Sequence, residues 1–101
     1  MNLLPKPISF SWDQGNIDKN LFKHHVTTSE AEEVFSSEPL VARYDAKHGV
    51  SEPRFQALGK TKSGRKLFVA FTIRSKQVRV ISIRDMTERE VQAYERTEEN
   101  S

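Results

Sequence analysis

The sequence predicts an α+β domain, with helices at the front and at the end of a run of antiparallel strands. Three observations carry this. Thr27 with Glu30, and Thr87 with Glu90, are capping-box patterns that mark two helix starts. Between them Leu67, Val69, Phe71 and Ile73 alternate with Phe68, Ala70, Thr72 and Arg74, a period of two in residues that favour strands. Lys62-Ser63-Gly64 and Ser75-Lys76-Gln77 bracket that run as turns.

Each element follows from local chemistry. Residues 1–7 read as a flexible lead-in, and residues 8–95 as a single domain, which fits 101 residues. Ile8, Phe10 and Trp12 alternate with Ser9 and Ser11, so a short N-terminal strand is expected. Asp13 can cap a helix whose one face carries Ile17, Leu21 and His24. A second helix is expected from about Thr28 to Phe35, turning Ala31, Val34 and Phe35 to the core, and Ser36-Ser37-Glu38-Pro39 ends it. Leu40 to Tyr44 and Arg54 to Thr61 read as strands around a loop over 45–53. Val78 to Arg84 closes a three- or four-stranded antiparallel meander. The last helix starts at Thr87, turns Val91 and Tyr94 inward, and leaves residues 96–101 as a flexible polar tail.

Charge is unevenly placed. Nine basic residues and no acidic one lie between Arg54 and Arg84, so the remaining chain holds seven basic residues against all 14 acids. Such a block suits a polyanion or an acidic partner. It also suits plain solvation of hairpin edges. No apolar run approaches the roughly 20 residues that span a bilayer. The first ten residues, with Pro5 and Pro7, do not form a signal-peptide core, so a cytoplasmic location without membrane contact is expected. The absence of cysteine excludes disulfides, thiolate metal sites and a Cys nucleophile.

Few residues suggest chemistry. Arg79 and Arg84 suit phosphate, because a guanidinium is always charged and donates paired hydrogen bonds. Regular alternation sends them to opposite faces unless a bulge intervenes. Each could equally be a surface arginine paired with Asp85 or Glu88. His24 could serve as general acid or base, or could bond the last carbonyls of its helix. Glu90 is most simply the cap of Thr87, which leaves Glu88 as a solvated acid or a proton-transfer group. Phe10 and Trp12 read as core. His24, His25 and His48 lack the spacing of a metal site, and neither metal nor cofactor is expected.

The pieces in order resemble the BrnT family, ribonuclease toxins of type II toxin–antitoxin modules. The resemblance lies in Phe10-Ser11-Trp12-Asp13, Asn20 to Val26, Glu30-Ala31 and Val34-Phe35. It continues in Arg54, Gly59, Leu67 to Phe71, and Arg79 to Thr87 with Glu90 and Tyr94. It implies a RelE-like fold, RNA cleavage without a metal, and inhibition of translation. It also implies a BrnA-like antitoxin with a ribbon-helix-helix part, joined as a heterotetramer, with DNA contacted only through that partner. Under it, His24, Arg79, Arg84 and Glu88 are the catalytic candidates, and Lys23, Arg54, Arg74 and Tyr94 the RNA-binding ones. The family pattern has glycine where this chain has His25, so a positive φ is expected at a histidine. Ile83 stands where the family has alanine and is expected to face the core. The other reading is a non-catalytic chain, a divergent toxin or a basic module that docks an acidic protein.

Overall fold

A computed structural model describes residues 4–15, 17, 24–47 and 52–100. Helix α1 covers Thr28–Val34, followed by strands β1 (Val41–Tyr44), β2 (Phe55–Lys60), β3 (Lys66–Arg74) and β4 (Gln77–Asp85), and then helix α2 (Glu88–Glu99). The strands form one antiparallel sheet in chain order. The α+β class and the four-stranded meander agree with the sequence reading. Both capping boxes form. The Thr27 and Thr87 side chains accept from the Glu30 and Glu90 amides, and each glutamate reaches back to its cap amide.

One face of the sheet makes the core. Ala57, Leu67, Val69, Phe71, Val78, Val80 and Ile83 meet Val26, Ala31, Val34 and Phe35 of the α1 region. Aromatic rings continue the packing: Phe35 meets Phe71 edge-on at 5.1 Å and Phe10 at 5.4 Å. The second face carries Leu58, Phe68, Ala70, Thr72, Arg79 and Arg84, as cross-strand pairing dictates. Helix α2 lies against the edge of that face, through Lys60–Glu98, Lys66–Glu95 and Arg84–Glu90 ion pairs. Its Tyr94 is fully buried and donates its hydroxyl to the Pro39 carbonyl at 2.6 Å.

Several expectations change. The N-terminal segment makes one parallel bridge, Phe10 to Val78, instead of a full strand. Two backbone bonds of 2.8 Å support that bridge, from Ser11 N–H to the Val78 carbonyl and from Val78 N–H to the Ser9 carbonyl. Of the first predicted helix, an Ile17 N–H bond to the Asp13 carbonyl is seen, and most of the rest lies outside the described residues. The tail expected over 96–101 is helical through Glu99, because Glu95 and Glu98 are anchored by Lys66 and Lys60. No helix among the described residues is long and apolar enough to cross a membrane.

At Gly59 the sheet comes close to the end of α1. A β-carbon there would lie 2.6 Å from Ser37 Oγ, 2.8 Å from Val34 Cγ1 and 2.9 Å from the Val34 carbonyl oxygen. The carbonyl belongs to helix backbone and cannot rotate aside. Gly59→Ala is therefore expected to cost ~1–3 kcal/mol of stability through overpacking. Urea denaturation of both forms checks this, and an unchanged midpoint would show that α1 can shift.

Candidate functional site

The largest departure from regular alternation lies in β4. Ala70 pairs with Ser82, but the next residue, Phe71, pairs with Val80, so Ile81 is an extra residue. This is a β-bulge, and it reverses the phase of the strand. Val78 and Val80 face the core before it, and Ile83 faces the core after it. Arg79 and Arg84 consequently share the second face. The adjacent apolar pair Val80-Ile81 is the trace of this in the sequence. At about 3.3 Å per residue the two arginines still stand roughly 15 Å apart along the strand.

Arg79 joins Arg54 and Arg74 around an open cleft of about 390 Å³, with Asp13, Glu52 and Thr72 also lining it. Arg74 holds Glu52 through two bonds of 2.9 Å, and Arg79 pairs with Asp13. The Arg74 guanidinium keeps the Glu52 carboxyl below the usual carboxylate range. Among the described residues no hydrogen bond engages the Arg54 guanidinium. Three fixed positive charges against two carboxylates leave the cleft cationic. Thr72 is buried at its floor, its hydroxyl donated to the Pro53 carbonyl at 2.6 Å, which fixes the loop that carries Arg54.

Arg84 lies elsewhere, at the far end of β4. Its guanidinium stacks 4.1 Å above the Phe68 ring and donates to both Glu90 oxygens, at 2.8 and 3.1 Å. Burial alone would raise the Glu90 carboxyl. The Arg84 bond and the Thr87 amide outweigh it, and the net shift is downward. Glu90 thus caps α2 and holds Arg84, a second role that its capping pattern does not reveal.

His24 also stands at this end of the sheet, in a knot built on Arg65. The five guanidinium donors make five bonds. Nε and Nη2 reach Asp85 at 2.8 and 3.2 Å, Nη1 reaches the His25 carbonyl at 2.9 Å and Glu30 at 3.2 Å, and Nη2 reaches the His24 carbonyl at 3.0 Å. The bond from Arg65 holds the Asp85 carboxyl low, and the nearby His24 lowers it further. The Thr27 amide, more than Arg65, lowers Glu30. His25 has φ 54°, the left-handed conformation expected at the family's glycine position.

The predicted residues therefore divide. Arg54, Arg74 and Arg79 come together. His24 and Arg84 lie at the other end of β4, and Glu88 is exposed in the first turn of α2. Tyr94 turns inward and presents no ring face to a ligand. Lys23 lies outside the described residues. Arg65 and its hold on Asp85 leave no mark in the sequence, because the partners of Arg65 stand 20 to 41 residues away along the chain. The Asp85 carboxylate pairs with Arg65 and not with Arg79 or Arg84.

A sequence model of the ribonuclease toxin BrnT of type II toxin–antitoxin systems matches residues 12–90. The chain belongs to the BrnT family. As a BrnT-family chain it is a ribonuclease toxin by kind, and its type II system implies an antitoxin partner. The crystal structure of the Brucella abortus ribonuclease toxin BrnT superposes with a TM-score of 0.58 at 24% identity, over 80% of this chain and 99% of that one. At that identity the likeness speaks for the fold. No curated protein matches the chain.

The lowered carboxyls give this BrnT-family chain a defined acid response. Glu30, Asp85 and Glu90 are held below their unfolded values, so protonation favours unfolding. Their contribution is complete above the unfolded pKa of about 4 and is lost as pH falls through the lower folded values. The thermal midpoint is expected to stay level from about pH 7 to pH 5 and to drop below about pH 4. Melting curves by circular dichroism test this, and an equal midpoint at pH 3 would count against the three pairs.

Proposed function

We propose that this chain is a metal-independent endoribonuclease that inhibits translation by cutting RNA. The observation that carries the reading is the three-arginine cleft on the second face of the sheet, in a chain of the BrnT family. A cationic cleft with fixed guanidinium groups suits a phosphate backbone. An RNA strand running along β4 would meet Arg79, Arg74 and Arg54 at one end. At the other it would meet Arg84 and the turn that carries His24.

Cleavage requires the ribose 2′-hydroxyl to lose its proton, its oxygen to bond to phosphorus, and the 5′-oxygen to leave with a proton. His24 takes the first proton in this mechanism and returns one to the leaving oxygen. Arg84, released from Glu90 by the incoming phosphate, stabilises the charge that builds on the phosphorane oxygens. Glu88, exposed at the start of α2, is the second proton-transfer candidate. Lys23 adds positive charge beside His24 in the chain. With the imidazole moving protons and arginine stabilising charge, no step of this mechanism calls for a metal.

The partner proposed is a BrnA-like antitoxin with a ribbon-helix-helix part, in a heterotetramer that contacts DNA only through the antitoxin. The toxin's own place is cytoplasmic, where its RNA is.

Purified chain incubated with RNA in excess chelator tests the activity. Cleavage is expected to persist, and intact RNA with correctly folded protein would overturn the reading. Replacing Arg54, Arg74 and Arg79 together by alanine should weaken RNA binding and flatten its salt dependence, by ~0.7 in log–log slope for each single-strand phosphate that is no longer neutralised. A second reading keeps the fold and drops the chemistry. Arg74 and Arg79 already hold carboxylates, so the cleft could dock an acidic protein segment. Harmless expression together with absent cleavage would favour it.

A further inference from the structure

We propose that Arg65 is a positioning residue for His24: its guanidinium clamps the His24–His25 turn to the end of β4 and to the cap of α1. The inference rests on the reading in which His24 moves the proton. Arg65 itself does not meet RNA in it, because all five of its donors are already used.

The clamp joins four pieces of chain. Two of its bonds end on the carbonyls of His24 and His25, which flank the left-handed residue. A non-glycine residue in that conformation needs outside support to stay there. Asp85 and Glu30 receive the other three bonds, so the turn is tied both to the strand exit and to the capping box of α1. The arginine's own backbone is held in turn. Thr61, buried, accepts from the Arg65 N–H at 3.1 Å and donates its N–H to the Arg65 carbonyl at 2.9 Å. A planar guanidinium can bridge these groups at once, whereas a lysine ammonium offers three donors from one point.

An imidazole that transfers a proton must lie within hydrogen-bond reach of it, and a misplacement of about 1 Å can cost ~10²-fold in rate. The carbonyls fixed by Arg65 include that of His24 itself, so loosening the clamp moves the ring without altering its chemistry. Asp85 takes two of the Arg65 bonds, so the carboxylate is part of the same device.

The test uses the full chain as wild type, Arg65→Ala, Arg65→Lys, Asp85→Asn, His24→Ala and the double variant His24→Ala/Arg65→Ala. Amide hydrogen exchange by NMR reads the clamp through the two peptide groups whose carbonyls it holds. Exchange at His25 and Val26 is expected to rise about tenfold or more in both Arg65 variants, with Val69 and Ile83 unchanged. Unaltered exchange at His25 and Val26 overturns the proposal. Should Arg65→Ala fail to fold, Asp85→Asn removes charge from one partner and is expected to raise exchange at the same two amides by less, and no rise there overturns it equally.

Cleavage of a fluorogenic RNA reads the consequence. Arg65→Ala is expected to lower kcat by ~10²-fold with KM within about twofold, and Arg65→Lys not to restore it. The double variant should be no slower than His24→Ala alone, as for residues that act through one group. A further loss in the double variant overturns positioning in favour of direct RNA contact. If wild type does not cleave, or His24→Ala stays fully active, the functional reading fails instead, and the exchange data still decide the clamp.

Discussion

His24→Ala is expected to lower the rate of RNA cleavage by ~10²- to 10⁴-fold while leaving the fold intact, the range of general acid–base catalysis. His24 is half-buried and is not a member of the buried core, which in this region is Val26, Ala31, Val34 and Phe35. The loss should appear in kcat with KM little changed, since the RNA grip proposed above is the arginine cleft at the other end of β4. Truncating Arg54, Arg74 and Arg79 should give the converse, a raised KM and a weaker salt response. Full activity in His24→Ala would remove the imidazole from the mechanism and move attention to Glu88. Glu88→Gln separates the two: it should spare the rate if the imidazole carries the proton and lower it if the carboxylate does.

Phe71→Ala is expected to destabilise the protein by ~3–5 kcal/mol, as for a large aromatic truncated in a core. Phe71 is fully buried. Its ring meets Phe35 edge-on at 5.1 Å and stacks on Phe55 at 5.5 Å, so it joins α1 to the sheet. Stabilities of small domains are about 5–15 kcal/mol, so this one change would remove a large part of the total. Urea denaturation gives the value, and a loss under about 1 kcal/mol would mean that the neighbouring rings refill the space. Phe71 also pairs with Val80, directly beside the bulge. A loosened partner there should weaken the phase reversal that places Arg79 and Arg84 on one face, so RNA binding is expected to suffer more than the surviving fold predicts.

How much of this is legible in the chain alone depends on the reach of each signal. The two capping boxes are readable because a cap and its partner lie three residues apart, and both form. The central strand is readable because alternation of side chains is a property of a single strand. The positive φ at His25 follows from a glycine in the family pattern. Glu90 reads as a cap and is one, yet its grip on Arg84 joins residues of different elements and leaves no local mark.

The sequence by itself determined the α+β class, the meander, the two capped helices and the membership of the basic block, since these are written within a few residues of each other. Tertiary structure decided which face each arginine occupies, which arginines share a cleft, and what holds the turn that carries His24. The bulge at Ile81 depends on what β3 offers across the ladder, and a single strand's alternation cannot state it. The Arg65 clamp gathers acceptors from three other pieces of chain, which come within hydrogen-bond reach when the core face closes. Hydrogen bonds act over about 3 Å in space, and only folding turns separations of 20 to 41 residues into that distance.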